Sequence, residues 1–190
     1  MPLQNRVDPF GELHAVPARG ALMGNRGGRF HEASKTLGAR RYVSRRWIAC
    51  LCDFRGRRRE VWGAGYTELF FLDEATSLAA GHRPCFECRR ADATRFAAAF
   101  GAGADAMDRA LDAERRRGRD KRLDRAPVDG LPDGAMIARG REAFLLRGGE
   151  LLKWTFAGYE SAGLRPRGIV VDVITPPSTR AALARGYLPA

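Results

Sequence analysis

Four cysteines in two close pairs, Cys50-x-Cys52 and Cys85-x-x-Cys88, constrain this 190-residue chain more than any other feature. On a strand the sulfurs of Cys50 and Cys52 project from one face, because side chains alternate with a period of two. In GHRPCFECRR, Pro84 sets a turn and the residues after Cys88 begin a helix, the form of a zinc knuckle. The thirty-two residues between Cys52 and Cys85 suffice for a hairpin and a helix to fold back and close the site. Four tetrahedral thiolates specify one structural Zn2+ per chain, with Cys50, Cys52, Cys85 and Cys88 as ligands. His82, three residues before Cys85, is the alternative fourth ligand. Paired cysteines in a reducing compartment are metal ligands or catalytic thiols rather than disulfides. A redox role for C-x-x-C needs a βαβ context that the flanking sequence does not supply.

The cysteines lie in a basic bed. Thirty-three Lys and Arg face twenty-two Asp and Glu, a net charge of +11, and all but Lys35, Lys121 and Lys153 of the basic residues are arginine. Such a field attracts polyanions, and the planar guanidinium suits bidentate phosphate contacts. Arg45, Arg46, Arg57, Arg58, Arg83, Arg89 and Arg90 flank the two pairs and are the candidate nucleic-acid contacts. An apolar fraction of 45% with 29% charged residues excludes wholesale disorder. No apolar run is long enough to span a bilayer, and the first ten residues lack the pattern of a signal peptide, so a cytoplasmic protein with no membrane partner is expected.

Three segments are expected. Residues 1–40, rich in Gly, Pro and Arg, read as a loop-rich arm; 41–125 as a zinc-binding α+β domain; 126–190 as a small β module with a C-terminal helix. Within the second, YVSRRWIACLCDF at 42–54 has strand character, Arg55-Gly56 is a turn, and 61–71 returns to complete an antiparallel hairpin or meander. Asp73 caps a short helix closed by Gly81, a second helix spans 91–100, and a third spans 105–121. After Pro127, short apolar runs punctuated by PDG, RGR and RGG predict successive hairpins, GIVVDVI a further strand, and Ser178 an N-cap for the terminal helix. The fold class is therefore α+β: a zinc-stabilised β-hairpin plus helices, followed by a small, mostly antiparallel β module.

The stretch FFLDEATSLAAGHRPCFECR, with the cysteine pair before it, resembles the zinc-binding N-terminal domain of the Ada family of alkyl-DNA repair proteins. That family has a phenylalanine-containing strand, a short alanine-rich helix and an A-G-F-R-P-C-x-x-C segment, and the likeness covers about residues 47–90. It implies zinc on Cys50, Cys52, Cys85 and Cys88, a DNA rather than RNA partner, and a role in DNA repair or damage recognition. It also implies Cys50 as the position that would accept a methyl group from a methyl phosphotriester. The first pair is C-x-C here where the family has C-x-x-x-C.

Whether the chain is an enzyme stays open. A nucleic-acid hydrolase, nuclease or glycosylase, would use His14 or His31 with Asp8, Glu12 or Glu32. Trp154 and Tyr159 either fill the β module's core or form a pocket for an extruded base. A zinc-stabilised protein-interaction module is the third reading.

Overall fold

The protein, described here from a computed structural model over residues 1–57, 60–118 and 120–189, is an α+β fold built on two six-stranded sheets. The first sheet takes β1 (Arg6–Val7), β2 (Leu13–His14), β3 (Leu22–Arg26), β4 (Trp47–Leu51), β5 (Leu69–Phe71) and β6 (Arg83–Pro84), in the order β2-β1-β5-β3-β4-β6. Residues 1–40 are loop-rich, and they supply β1, β2 and β3 to this sheet. The expected hairpin between 42–54 and 61–71 does not form. β3 lies between β4 and β5 and pairs antiparallel with both, so that Gly24 faces Ala49 on one side and Leu69 on the other. A glycine is needed there: a Cβ on Gly24 would meet the Ile48 carbonyl at 2.4 Å and the Phe71 ring at 2.7 Å.

Asp73 caps α1 (Glu74–Ala79) as its sequence predicts, accepting hydrogen bonds from the Thr76 amide at 2.8 Å and hydroxyl at 2.7 Å. α2 (Arg90–Phe100) ends on Gly101 in the left-handed region. α3 (Ala104–Arg115) stops six residues short of its expected end. From there β7 (Arg116–Arg117) and β8 (Asp120–Lys121) form a two-stranded hairpin. The arginine run at this point lacks the apolar positions that would hold further turns against a core.

The second sheet comprises β9 (Asp124–Pro127), β10 (Met136–Arg139), β11 (Glu142–Arg147), β12 (Glu150–Thr155), β13 (Gly158–Leu164) and β14 (Val170–Val173), in the order β13-β12-β11-β10-β14-β9. All its pairings are antiparallel, as the hairpin punctuation predicts. α4 (Pro177–Ala184) follows, with Pro176 at its N-cap position and no side-chain capping bond. Ser178 is drawn away from capping because its amide and hydroxyl both bond to Glu114.

The cores cross the expected segment boundaries. Ala75 and Ala79 of α1 pack with Met136, Ala138 and Leu145 of the second sheet and with Ile174 just after β14, and Leu78, Phe96 and Met107 pack with Ala182, Leu183 and Tyr187. Trp154 donates to the Thr76 hydroxyl at 2.9 Å and Tyr159 to the Asp73 carboxylate at 2.8 Å. These rings lock the second sheet onto the start of α1, so they do not form a base pocket.

Gly81 joins α1 to β6 with φ +88, and a Cβ there would stand 2.8 Å from Cβ of Arg115. Gly81→Ala is expected to cost roughly 1–3 kcal/mol, from backbone strain and displacement of the buried Arg115. A urea titration checks this; an unchanged midpoint would contradict it.

Candidate metal centre

β6 runs parallel to β4 beside Ile48 and Ala49, and the register is continued by the Cys85 amide bonding to the Ala49 carbonyl at 2.9 Å. This brings the turn 85–88 alongside Cys50. The sulfurs of Cys50, Cys85 and Cys88 all lie within 4.8 Å of one another and could hold a metal ion. Backbone amides serve the cluster: Glu87 N–H points at Cys85 Sγ and Leu51 N–H at Cys88 Sγ, each at 3.3 Å. Such donors favour thiolate, the form that ligates metal. The Cys50 thiol donates to Cys85, which with burial pushes Cys50 far above the usual thiol range. The same bond, helped by the local amides, holds Cys85 down to about 5. Desolvation raises Cys88. A cation bound by these sulfurs would displace their protons.

Cys52 stands apart from this group. β4 ends at Leu51, so the alternation that would have placed Cys52 on the face of Cys50 stops one residue early. The Cys52 thiol instead turns toward the carbonyls of Ala21 at 3.5 Å and Gly20 at 3.8 Å, and burial raises its pKa. It nevertheless lines the same 270 Å³ cavity as the other three, together with Met23, Phe54, Tyr66 and Phe70. His82 is no ligand: it is fully buried between Trp47 and Phe71, with Nε2 facing Arg26 at 3.4 Å. Desolvation and that guanidinium keep it neutral.

His31 is structural. Its Nδ1 meets the Thr67 hydroxyl at 2.8 Å, its Nε2 the Gly63 carbonyl at 3.1 Å, and its ring stacks on Trp62. With both nitrogens engaged and only 4% of its surface exposed, it has no proton-transfer position to offer. His14 is half-buried and does meet Asp8, Nε2 to Oδ2 at 2.8 Å, a bond that raises its pKa. Glu12 contributes its amide to the same carboxylate, and Glu32 is exposed elsewhere, hydrogen-bonded through its backbone to Thr36.

The arginines divide. Arg83 forms two bonds with Asp108, at 2.8 and 2.9 Å, and Arg89 pairs with Glu74 and Asp92; all this lies in the interior, so neither arginine is a surface phosphate contact. Arg45, Arg46, Arg57 and Arg90 are exposed, with Arg46 near Asp105 and Arg57 paired with Glu87 at the cysteine cavity. Arg58 lies outside the described residues.

The fold and this site define an α+β protein with a three-cysteine cluster able to hold a metal. Comparison with protein-family models, curated proteins and solved structures found no match. No helix among the described residues is long and apolar enough to cross a membrane.

Proposed function

We propose that this is a zinc-binding, DNA-directed nucleic-acid-binding protein. The observation that carries the reading is the convergence of Cys50, Cys85 and Cys88 with two backbone amides aimed at their sulfurs. Soft thiolates select zinc, and Cys50, Cys85 and Cys88 would supply three, while Cys52 lies on the wall of the same cavity with its thiol turned to the Ala21 carbonyl. The ion would tie β4 to the turn before α2, and that turn leads directly into the exposed Arg90. Arg45, Arg46 and Arg57 extend the basic surface, and the chain's +11 charge steers DNA toward it.

Native mass spectrometry of protein purified without chelator is expected to find one zinc per chain. Duplex DNA binding should weaken steeply with salt, and the paired substitution Arg57→Ala/Arg90→Ala should reduce the slope of log K against log salt by about 2. A metal-free folded chain would overturn the zinc assignment; salt-independent binding, or none, would overturn the DNA assignment.

A second reading, alkyl transfer in DNA repair, is favoured by the apolar residues Met23, Phe54, Val61 and Phe70 around the thiolates, which would accommodate a methyl group. In that step a cysteine sulfur attacks the methyl carbon of a phosphotriester, the S–C bond forms, the C–O bond breaks, and the phosphodiester anion leaves. Incubation with methylated duplex should add the mass of one methyl group to Cys50 or Cys85. Unmodified cysteines in zinc-loaded protein would exclude the step.

A further inference from the structure

Elsewhere in this interior, buried cations meet carboxylates, as Arg83 does Asp108 and Arg89 does Glu74. Around Trp47 cations outnumber the carboxylates that meet them. Arg26 and Arg115, each 1% exposed, hold their guanidinium carbons 3.8 and 4.1 Å from the Trp47 ring centroid, and Arg116 lies 4.0 Å from that of Tyr42. With half-buried Lys121 they line a cavity of 740 Å³ whose rim adds Arg40 and Arg41. Among the described residues, six cationic side chains line it against two carboxylates, Glu12 and Asp120, both exposed, with Asp8 acting on Arg26 and Lys121 from outside the lining.

Neutral acceptors hold these cations in place. Arg26 donates to the Gly11 carbonyl at 2.8 Å, Lys121 to the Ala79 carbonyl, and Arg115 to the carbonyls of Gly81 and Arg45 at 3.1 and 2.8 Å. Asp112 is the carboxylate partner of Arg115; Arg26, Arg116 and Lys121 form no ion pair among the described residues. The Nε atoms of Arg115 and Arg116 are buried with no partner. Clustered, undercompensated cations in a desolvated cavity are costly to fold, and a bound anion removes that cost. Burial and mutual repulsion accordingly pull Lys121 down to about 7 and Arg26 below the ordinary arginine range.

We propose that this cavity binds the terminal phosphate of a phosphomonoester, with the half-buried Arg116 and Lys121 at its oxygens and the buried Arg26 and Arg115 adding positive charge behind them. Converging cations match a dianionic terminal phosphate better than the single charge of an internal phosphodiester. The volume is in the range of ligand pockets and far exceeds a bare phosphate, so the ligand carries a body of nucleotide size. A free nucleotide and the phosphorylated end of a strand share this chemistry. The site is separate from the cysteine cavity and needs neither zinc nor duplex binding.

Calorimetry with inorganic phosphate, adenosine monophosphate, and one oligonucleotide with a 5′-phosphate or a 5′-hydroxyl tests the assignment. The phosphorylated probes should bind, and Lys121→Met and Arg116→Gln should each weaken them by about tenfold or more. Lys121→Met should melt no lower than wild type, so its loss of binding is not unfolding. A phosphorylated oligonucleotide that outbinds both its 5′-hydroxyl form and the mononucleotide identifies a strand end; equal binding of the mononucleotide identifies a free nucleotide. No heat from any phosphorylated probe at millimolar concentration, or affinities unchanged in both variants, would overturn the proposal.

Discussion

Cys85→Ser is expected to lose the bound metal and to melt roughly 8–16 °C below the zinc-loaded wild type. A ligand bound only by the folded state, present at a thousandfold its Kd, contributes about 4 kcal/mol. In a chain of this size each kcal/mol corresponds to roughly 2–4 °C. Cys85 is the residue to change because its sulfur accepts from both the Glu87 amide and the Cys50 thiol, in the middle of the cluster. Cys88→Ser should act the same way, whereas Cys52→Ser should retain most of the metal, since its thiol turns to the Ala21 carbonyl. Metal content by native mass spectrometry and melting by circular dichroism read both effects. Equal metal loss in all three variants would mean that Cys52 is an obligate fourth ligand; a wild type whose melting ignores chelator would rule out a stabilising metal.

Asp108→Ala should be the most damaging substitution away from the cysteines, at about 3–5 kcal/mol, because it leaves the Arg83 guanidinium buried without its partner. The pair is doubly hydrogen-bonded and its side chains are 5% and 1% exposed. Arg83 and Pro84 form β6, the strand that aligns the Cys85 turn with β4, so the variant should also bind metal more weakly. Asp105→Ala is the control: Asp105 faces Arg46 at 3.6 Å on the surface, and its loss should change stability by less than about 1 kcal/mol. Urea unfolding separates the two. Similar midpoints for both variants would show that the buried pair contributes no more than the exposed one.

Local features were the legible ones. Asp73 as a cap, the helix after Cys88, and hairpins at RGR and RGG each rest on a few neighbouring residues, and the structure has all three. The cysteine spacing identified three residues that do converge, and strand alternation misplaced the fourth only because β4 ends one residue early. Arginine clustering near the cysteines could not separate Arg83 and Arg89 from Arg57 and Arg90, since the partners that bury the first two are distant or shared carboxylates. His31 and His14 likewise looked alike as loop histidines until Thr67 and Gly63 occupied one and Asp8 the other.

By itself the sequence determined the α+β class, the hairpins that join β10, β11 and β12, and the turn at Cys85 and Cys88 that leads into α2. Those depend on turn chemistry, side-chain period and capping, which act within a few residues. Only the tertiary structure decided that β3 enters between β4 and β5, that Cys52 stands off the cluster, and that Arg26, Arg115, Arg116 and Lys121 meet around one cavity. These four cations come from β3 and from the α3 end with its hairpin, about ninety residues apart in the chain. No local pattern links residues so far apart; burial and strand order bring them together, because the chain must cover its apolar faces before any charge finds its place.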